Sequence, residues 1–95
     1  MTPTNATAIE FSGTIIGYDS ANDEAAGGSL EGIARKSGGT VVIVGTNDSL
    51  DESDTGLDTA DWDIEASAGD LVVTFDGVAG RSIDWRCTFV YTQTP

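Results

Sequence analysis

From Asp61 to Thr92 apolar and polar residues alternate with a period of two, in three runs separated by glycine-bearing turns. Trp62, Ile64 and Ala66 alternate with Asp63 and Glu65. Leu71, Val73 and Phe75 alternate with Val72 and Thr74. Ile83, Trp85, Cys87, Phe89 and Tyr91 alternate with Asp84, Arg86, Thr88, Val90 and Thr92. Successive side chains of a strand point to opposite faces, so this pattern demands strands with one face inside. It predicts a three-stranded antiparallel meander, turned at Ser67–Asp70 and at Gly77–Gly80, with the long last strand in the middle of a sheet. Nowhere do apolar residues recur at i, i+3, i+4 and i+7 over three turns, so a helical reading fails.

The rest of the chain extends the same pattern. Ala8–Tyr18 reads as a first strand, with Ile9, Phe11, Gly13, Ile15 and Gly17 on one face. Glycines on an inward face admit a large ring, and a tryptophan of the C-terminal third is the candidate to cover Gly13 or Gly17. Ile16 and Tyr18 break the polarity of the other face, which predicts that the end of this strand is covered too. Asp19–Gly28 has the composition of a loop. Ser29–Lys36 reads as a second strand with the buried face open, and Lys36–Gly39 as a tight turn. Thr40–Thr46 is a β-branched run, and Asn47–Ala60 a long acidic loop pinned by Leu50 and Leu57. Met1–Thr7 is polar and reads as a flexible arm before a single β domain over residues 8–95. Six strands with short connections and no helix predict an all-β fold, a small antiparallel β-sandwich or flattened barrel. Its expected core is Ile9, Phe11, Ile15, Trp62, Ile64, Leu71, Val73, Phe75, Ile83, Trp85, Cys87 and Phe89.

Charge narrows the function. Sixteen acidic residues against four basic ones give a net charge of −12 over 95 residues. Such a surface repels nucleic acid and anionic membranes, so neither is an expected partner. No transmembrane stretch or signal peptide is seen. The single cysteine, Cys87, forms no intrachain disulfide and reads as a small buried hydrophobe. The chain lacks histidine, the commonest acid/base group and transition-metal ligand. No nucleophile elbow or phosphate-cradling loop is present. Carboxylate pairs are inevitable in so acidic a chain and point to no hydrolase. The expectation is therefore a non-enzymatic protein without a cofactor.

The candidate contact residues are Asp48, Asp51, Glu52, Asp54 and Asp58 of the acidic loop, with Arg86 of the last strand. Arg86 reads either as a cross-strand partner of Glu65 or Glu31 or as one point of a subunit contact. Asp51, Asp54 and Asp58 are the oxygens a hard cation would meet, but no EF-hand spacing accompanies them, and no metal is expected. Exposed tryptophans would suit a carbohydrate platform, whereas their alternation places both in the core.

The run Gly38–Thr46 (GGTVVIVGT), the acidic Asp51–Asp54, Ala60–Ile64 (ADWDI), Leu71–Phe75 (LVVTF), Gly77–Gly80 (GVAG) and Ile83–Cys87 (IDWRC) together resemble a group of small β domains of tailed-bacteriophage virion proteins. The resemblance runs from Ile9 onward. It is a packing and turn pattern, and no catalytic residue comes with it. It implies a viral structural protein located in the virion and made in the host bacterial cytoplasm. The implied role is a capsid decoration (cement) protein bound to the outside of the shell. Its partners would be the major capsid or tail protein and further copies of itself, as a dimer or trimer. The alternatives are a tail-fibre or receptor-binding tip and, from another class, a calcium- or carbohydrate-binding module.

Overall fold

Three long strands open the chain. The computed structural model describes residues 1–94, in which β1 (Thr7–Asp19), β2 (Glu24–Ser37) and β3 (Thr40–Ser53) form consecutive antiparallel hairpins. The β2–β3 turn is Gly38–Gly39, with φ of +59° and +80°; two consecutive positive values are what a two-residue hairpin on twisted strands requires. A 3-10 turn over Thr55–Leu57 leads into a second hairpin, β4 (Asp61–Ser67) and β5 (Asp70–Asp76). The last strand, β6 (Asp84–Gln93), pairs antiparallel with β1. The fold is all-β: a four-stranded sheet, β3-β2-β1-β6, lies against the two-stranded sheet β4-β5 in an open sandwich that does not close into a barrel.

The C-terminal third is thus not a meander. β4 and β5 pair as expected, but β6 leaves them, and it is an edge strand rather than a central one. Gly77–Ile83 forms a crossover between the sheets instead of a hairpin turn, with Gly80 at φ +77°. Arg81 on this crossover bonds Asp19 at the end of β1 and Glu24 at the start of β2, which draws the chain onto the larger sheet. Alternation reports which faces are covered, not how many neighbours a strand has, so an edge strand against a second sheet reads like a central one.

Two expected loops are strand. Only Ser20–Asp23 turns between β1 and β2. Gly27 and Gly28 are strand residues that let backbones come close: a Cβ on Gly27 would lie 2.9 Å from the Ile15 carbonyl, and one on Gly28 would strike the Ser49 carbonyl and sit 2.8 Å from Trp62. Likewise β3 runs through the acidic stretch to Ser53 as the other edge strand, where exposed polar side chains carry no burial signal. Leu57 is fully buried and Leu50 partly so, and both hold this stretch to the body.

The inner face follows one register. Ile9 lies opposite Ala34, Phe11 opposite Gly32, Gly13 between Leu30 and Phe89, Ile15 between Gly28 and Cys87, and Gly17 between Ala26 and Trp85. Large and small side chains alternate across the strands, so the layer interdigitates. Ile9, Phe11, Ile15, Leu30, Trp62, Ile64 and Leu71 are buried, whereas Val73, Phe75, Ile83, Trp85, Cys87 and Phe89 are half-buried along the β6 side. Trp85 lies over Gly17, and a Cβ there would meet its ring at 2.5 Å. Trp62 covers Gly28 instead, its indole N–H donating to the Ser29 carbonyl at 3.0 Å. Trp62 meets Trp85 edge-on at 5.9 Å, and Trp85 stacks on Phe75 at 5.2 Å.

Where a flexible arm is expected, residues 1–7 lie on the body. The Met1 ammonium donates to the Leu71 carbonyl and the Leu71 N–H to the Met1 carbonyl, so Met1 pairs along β5. Pro3 is buried, its carbonyl accepting from Lys36 Nζ at 2.8 Å, and the Asn5 side chain accepts from Gly39 N–H.

Candidate functional site

Among the described residues no second layer lies over the outer face of the four-stranded sheet. Running across it are Gly45–Ile33–Glu10–Thr92, then Asn47–Glu31–Ser12–Val90, and further along Gly27–Ile16–Arg86 and Ala25–Tyr18–Asp84. Ile16 is 57% exposed and Val44 63%, with Tyr18, Ile33, Val42 and Val90 also open. The cover expected over Ile16 and Tyr18 is therefore not supplied by the described residues; both sit on the side of β1 away from the β4–β5 hairpin. The Tyr18 hydroxyl donates to Asp23, and that hydrogen bond and charge hold its pKa above the ordinary value.

Two shallow depressions mark this face where glycines remove side chains. One, of about 430 Å³, is lined by Glu10, Ser12, Glu31, Ile33, Val44 and Asn47 beside Gly45. The other, of about 650 Å³, is lined by Thr14, Ile16, Ala25, Gly27, Glu52 and Asp54. Each has an apolar or glycine floor and a carboxylate rim. That combination suits a protein surface carrying apolar side chains and Lys or Arg, and it lacks the enclosed, convergent polar groups of a catalytic cleft.

The acidic candidates divide. Asp48, Asp51 and Glu52 lie on β3, which makes that edge strongly negative. Asp48 stands opposite Leu30, on the side of β3 toward β4; partial burial there, with the charges of Asp61 and Asp63, pushes its carboxyl above the ordinary range. Asp51 falls at a bulge and accepts from the Ser49 hydroxyl. The Asp54 N–H donates to the Ala25 carbonyl, and the Ala25 N–H donates to the Asp54 carboxylate at 2.8 Å, so Asp54 closes the end of β3. Asp58 follows the 3-10 turn and is exposed. Among the described residues no group of three or more acidic or sulfur side chains converges as a metal site.

Arg86 sits on the outer face opposite Ile16, separated from β3 by two strands. It pairs with neither Glu65 nor Glu31, because β6 neighbours β1 rather than β5; the ion pairs among the described residues belong to Arg81. Arg81 went unremarked as a site residue. It bonds Asp19 at 3.0 Å and also Glu24, at one end of the sandwich. Asp19 is fully buried, and hydrogen bonds from Arg81 and then Asn22 hold its carboxyl below the ordinary range. Its one local signal is its place directly after the Gly77–Gly80 segment, and nothing local ties residue 81 to residue 19.

Cys87 faces inward, and burial pushes its thiol pKa up. Trp62 is buried and one face of Trp85 is occupied by Phe75, so the tryptophan pair is packing rather than a sugar platform. No helix among the described residues is long and apolar enough to cross a membrane. Compared with known proteins, the chain matches no family model, no curated protein and no solved structure at a significant level.

Proposed function

We propose that this chain is a non-enzymatic structural protein that docks through the outer face of its four-stranded sheet. In the setting its sequence resembles, that is a capsid decoration protein bound to the outside of a bacteriophage shell. The observation that carries the reading is the uncovered face itself. Ile16, Ile33, Val42, Val44 and Val90 form a set of exposed β-branched side chains interspersed with Glu10, Glu31 and Glu52. Apolar surface of that extent rimmed by charge marks a protein contact. A shell surface presenting apolar residues between Lys or Arg would match it in both respects.

The test is direct. DNA-filled heads lacking the protein, mixed with it and pelleted, take it up stoichiometrically. Val44→Lys and Ile33→Lys lose that uptake while their melting curves stay within a few degrees of the parent, since both positions are exposed. Uptake undiminished in both variants overturns the docking face. Recovery of the protein only with detached tails overturns the capsid assignment and selects the tail-fibre alternative.

A further inference from the structure

The two edges of the larger sheet are built oppositely. On β3 the edge is interrupted by register shifts at Gly27/Gly28 and Ile33/Ala34 and carries Asp48, Asp51 and Glu52. Bulges and charges are how sheets keep an edge from pairing with another chain. On β6 there are ten strand residues paired to β1 without a shift, and from Trp85 to the last residue no acid occurs in a chain that has sixteen.

The direction of the free groups follows from the ladder. Thr94 N–H donates to the Ala8 carbonyl, so the even-numbered residues of β6 exchange bonds with β1. The N–H and C=O groups of Trp85, Cys87, Phe89, Tyr91 and Gln93 therefore point off the free edge. Their side chains are on the inner face, where Trp85, Cys87 and Phe89 remain half-exposed and Tyr91 is 48% exposed. Both the backbone and the apolar side chains of β6 are thus unfinished at one edge.

We propose that β6 pairs antiparallel with β6 of a second copy, joining two four-stranded sheets into one of eight. Centred on Phe89, the alignment uses every outward-pointing group: Phe89 faces its counterpart, Cys87 faces Tyr91 and Trp85 faces Gln93, and no carboxylate meets another. A two-fold contact of this kind is self-complementary and closes. The two acidic β3 edges then lie at the far ends of the joined sheet, about 34 Å apart at the usual strand spacing and well beyond the screening length in physiological salt. A β3–β3 contact would instead stack carboxylates. The same alignment gives Arg86 its missing partner. It faces Thr92 of the second copy, whose other neighbour is Glu10, so the guanidinium comes within reach of that carboxylate across two strands.

Light scattering over a concentration series reads the outcome. The 9.8 kDa chain doubles in mass as concentration rises, more readily at higher salt because two −12 chains repel. Tyr91→Pro stays monomeric with its own fold intact, because the N–H it removes bonds nothing within the chain. Arg86→Glu, an exposed change that does not threaten folding, weakens association about tenfold, and Glu10→Arg added to it restores the loss. A parent chain that stays at single mass at all concentrations overturns the proposal. So does a dimer unaffected by Arg86→Glu, or amide exchange at Cys87, Phe89 and Tyr91 that is unchanged by concentration.

Discussion

At Asp19 a single side chain joins the end of β1 to the crossover 62 residues later in the chain. Its carboxylate is buried yet ionised, because Arg81 and Asn22 supply the hydrogen bonds that water gave up. Since its folded pKa lies below the ordinary value near 4, the unfolded chain binds this proton first. The stability it contributes is present above about pH 4 and is lost as pH falls through the folded pKa. Asp48 has the opposite sign: its raised pKa means that ionisation at neutral pH costs stability, which returns as pH falls toward the ordinary value. Melting temperature followed from pH 7 to pH 3 is expected to hold or rise slightly and then drop. Asp19→Asn lowers the neutral plateau and flattens the acid drop, whereas Asp48→Asn raises the plateau. An unchanged acid limb in Asp19→Asn would contradict the assignment.

The elements show what a linear pattern can carry. The β4–β5 turn places Ala68 at φ +52° ahead of Gly69, a left-handed position at which alanine is strained and asparagine is favoured. Ala68→Asn is expected to stabilise the chain by about 0.5–1 kcal/mol, read as a higher denaturant midpoint with an unchanged slope. The β2–β3 and β4–β5 turns and the inward faces of β1, β4, β5 and β6 were legible because turn chemistry and alternation are local. That a tryptophan of the C-terminal third covers Gly13 or Gly17 was legible for the same reason, a glycine on a buried face leaving room for one ring; that it is Trp85 over Gly17 was not. Other features were not. The strand partner of β6 depends on Arg81 reaching Asp19 and Glu24, and the identity of Gly27–Gly28 as strand depends on Ser49 and Trp62 coming close from elsewhere. The acidic run of β3 looks like a loop because an edge strand with solvent on its side chains has no apolar rhythm. For the candidate site, the acidic residues and Arg86 were visible as charges. That they lie on opposite edges of one sheet, with an apolar face between them, was not visible.

Taken whole, the molecule is a slab of 46 × 20 × 17 Å with a net charge of −12. Self-repulsion at −12 opposes the compact state and is screened by salt. Thermal midpoints are expected to climb by several degrees between 10 and 300 mM sodium chloride. Calcium at equal ionic strength should add nothing, since no cluster of carboxylates that could hold a cation is assembled among the described residues; a further calcium-specific rise would overturn that expectation. The pairing of the first long strand with the last has a consequence for synthesis. Ala8 and Thr94, 86 residues apart, are hydrogen-bonded to each other, and β6 supplies the lid over Gly13 and Gly17. Until β6 has been made and docks, β1 keeps one edge and part of its apolar face unprotected. The hairpins of β1, β2 and β3 can form early, but the domain completes itself only once β6 docks on β1, so folding should be slow for its size and sensitive to truncation within β6.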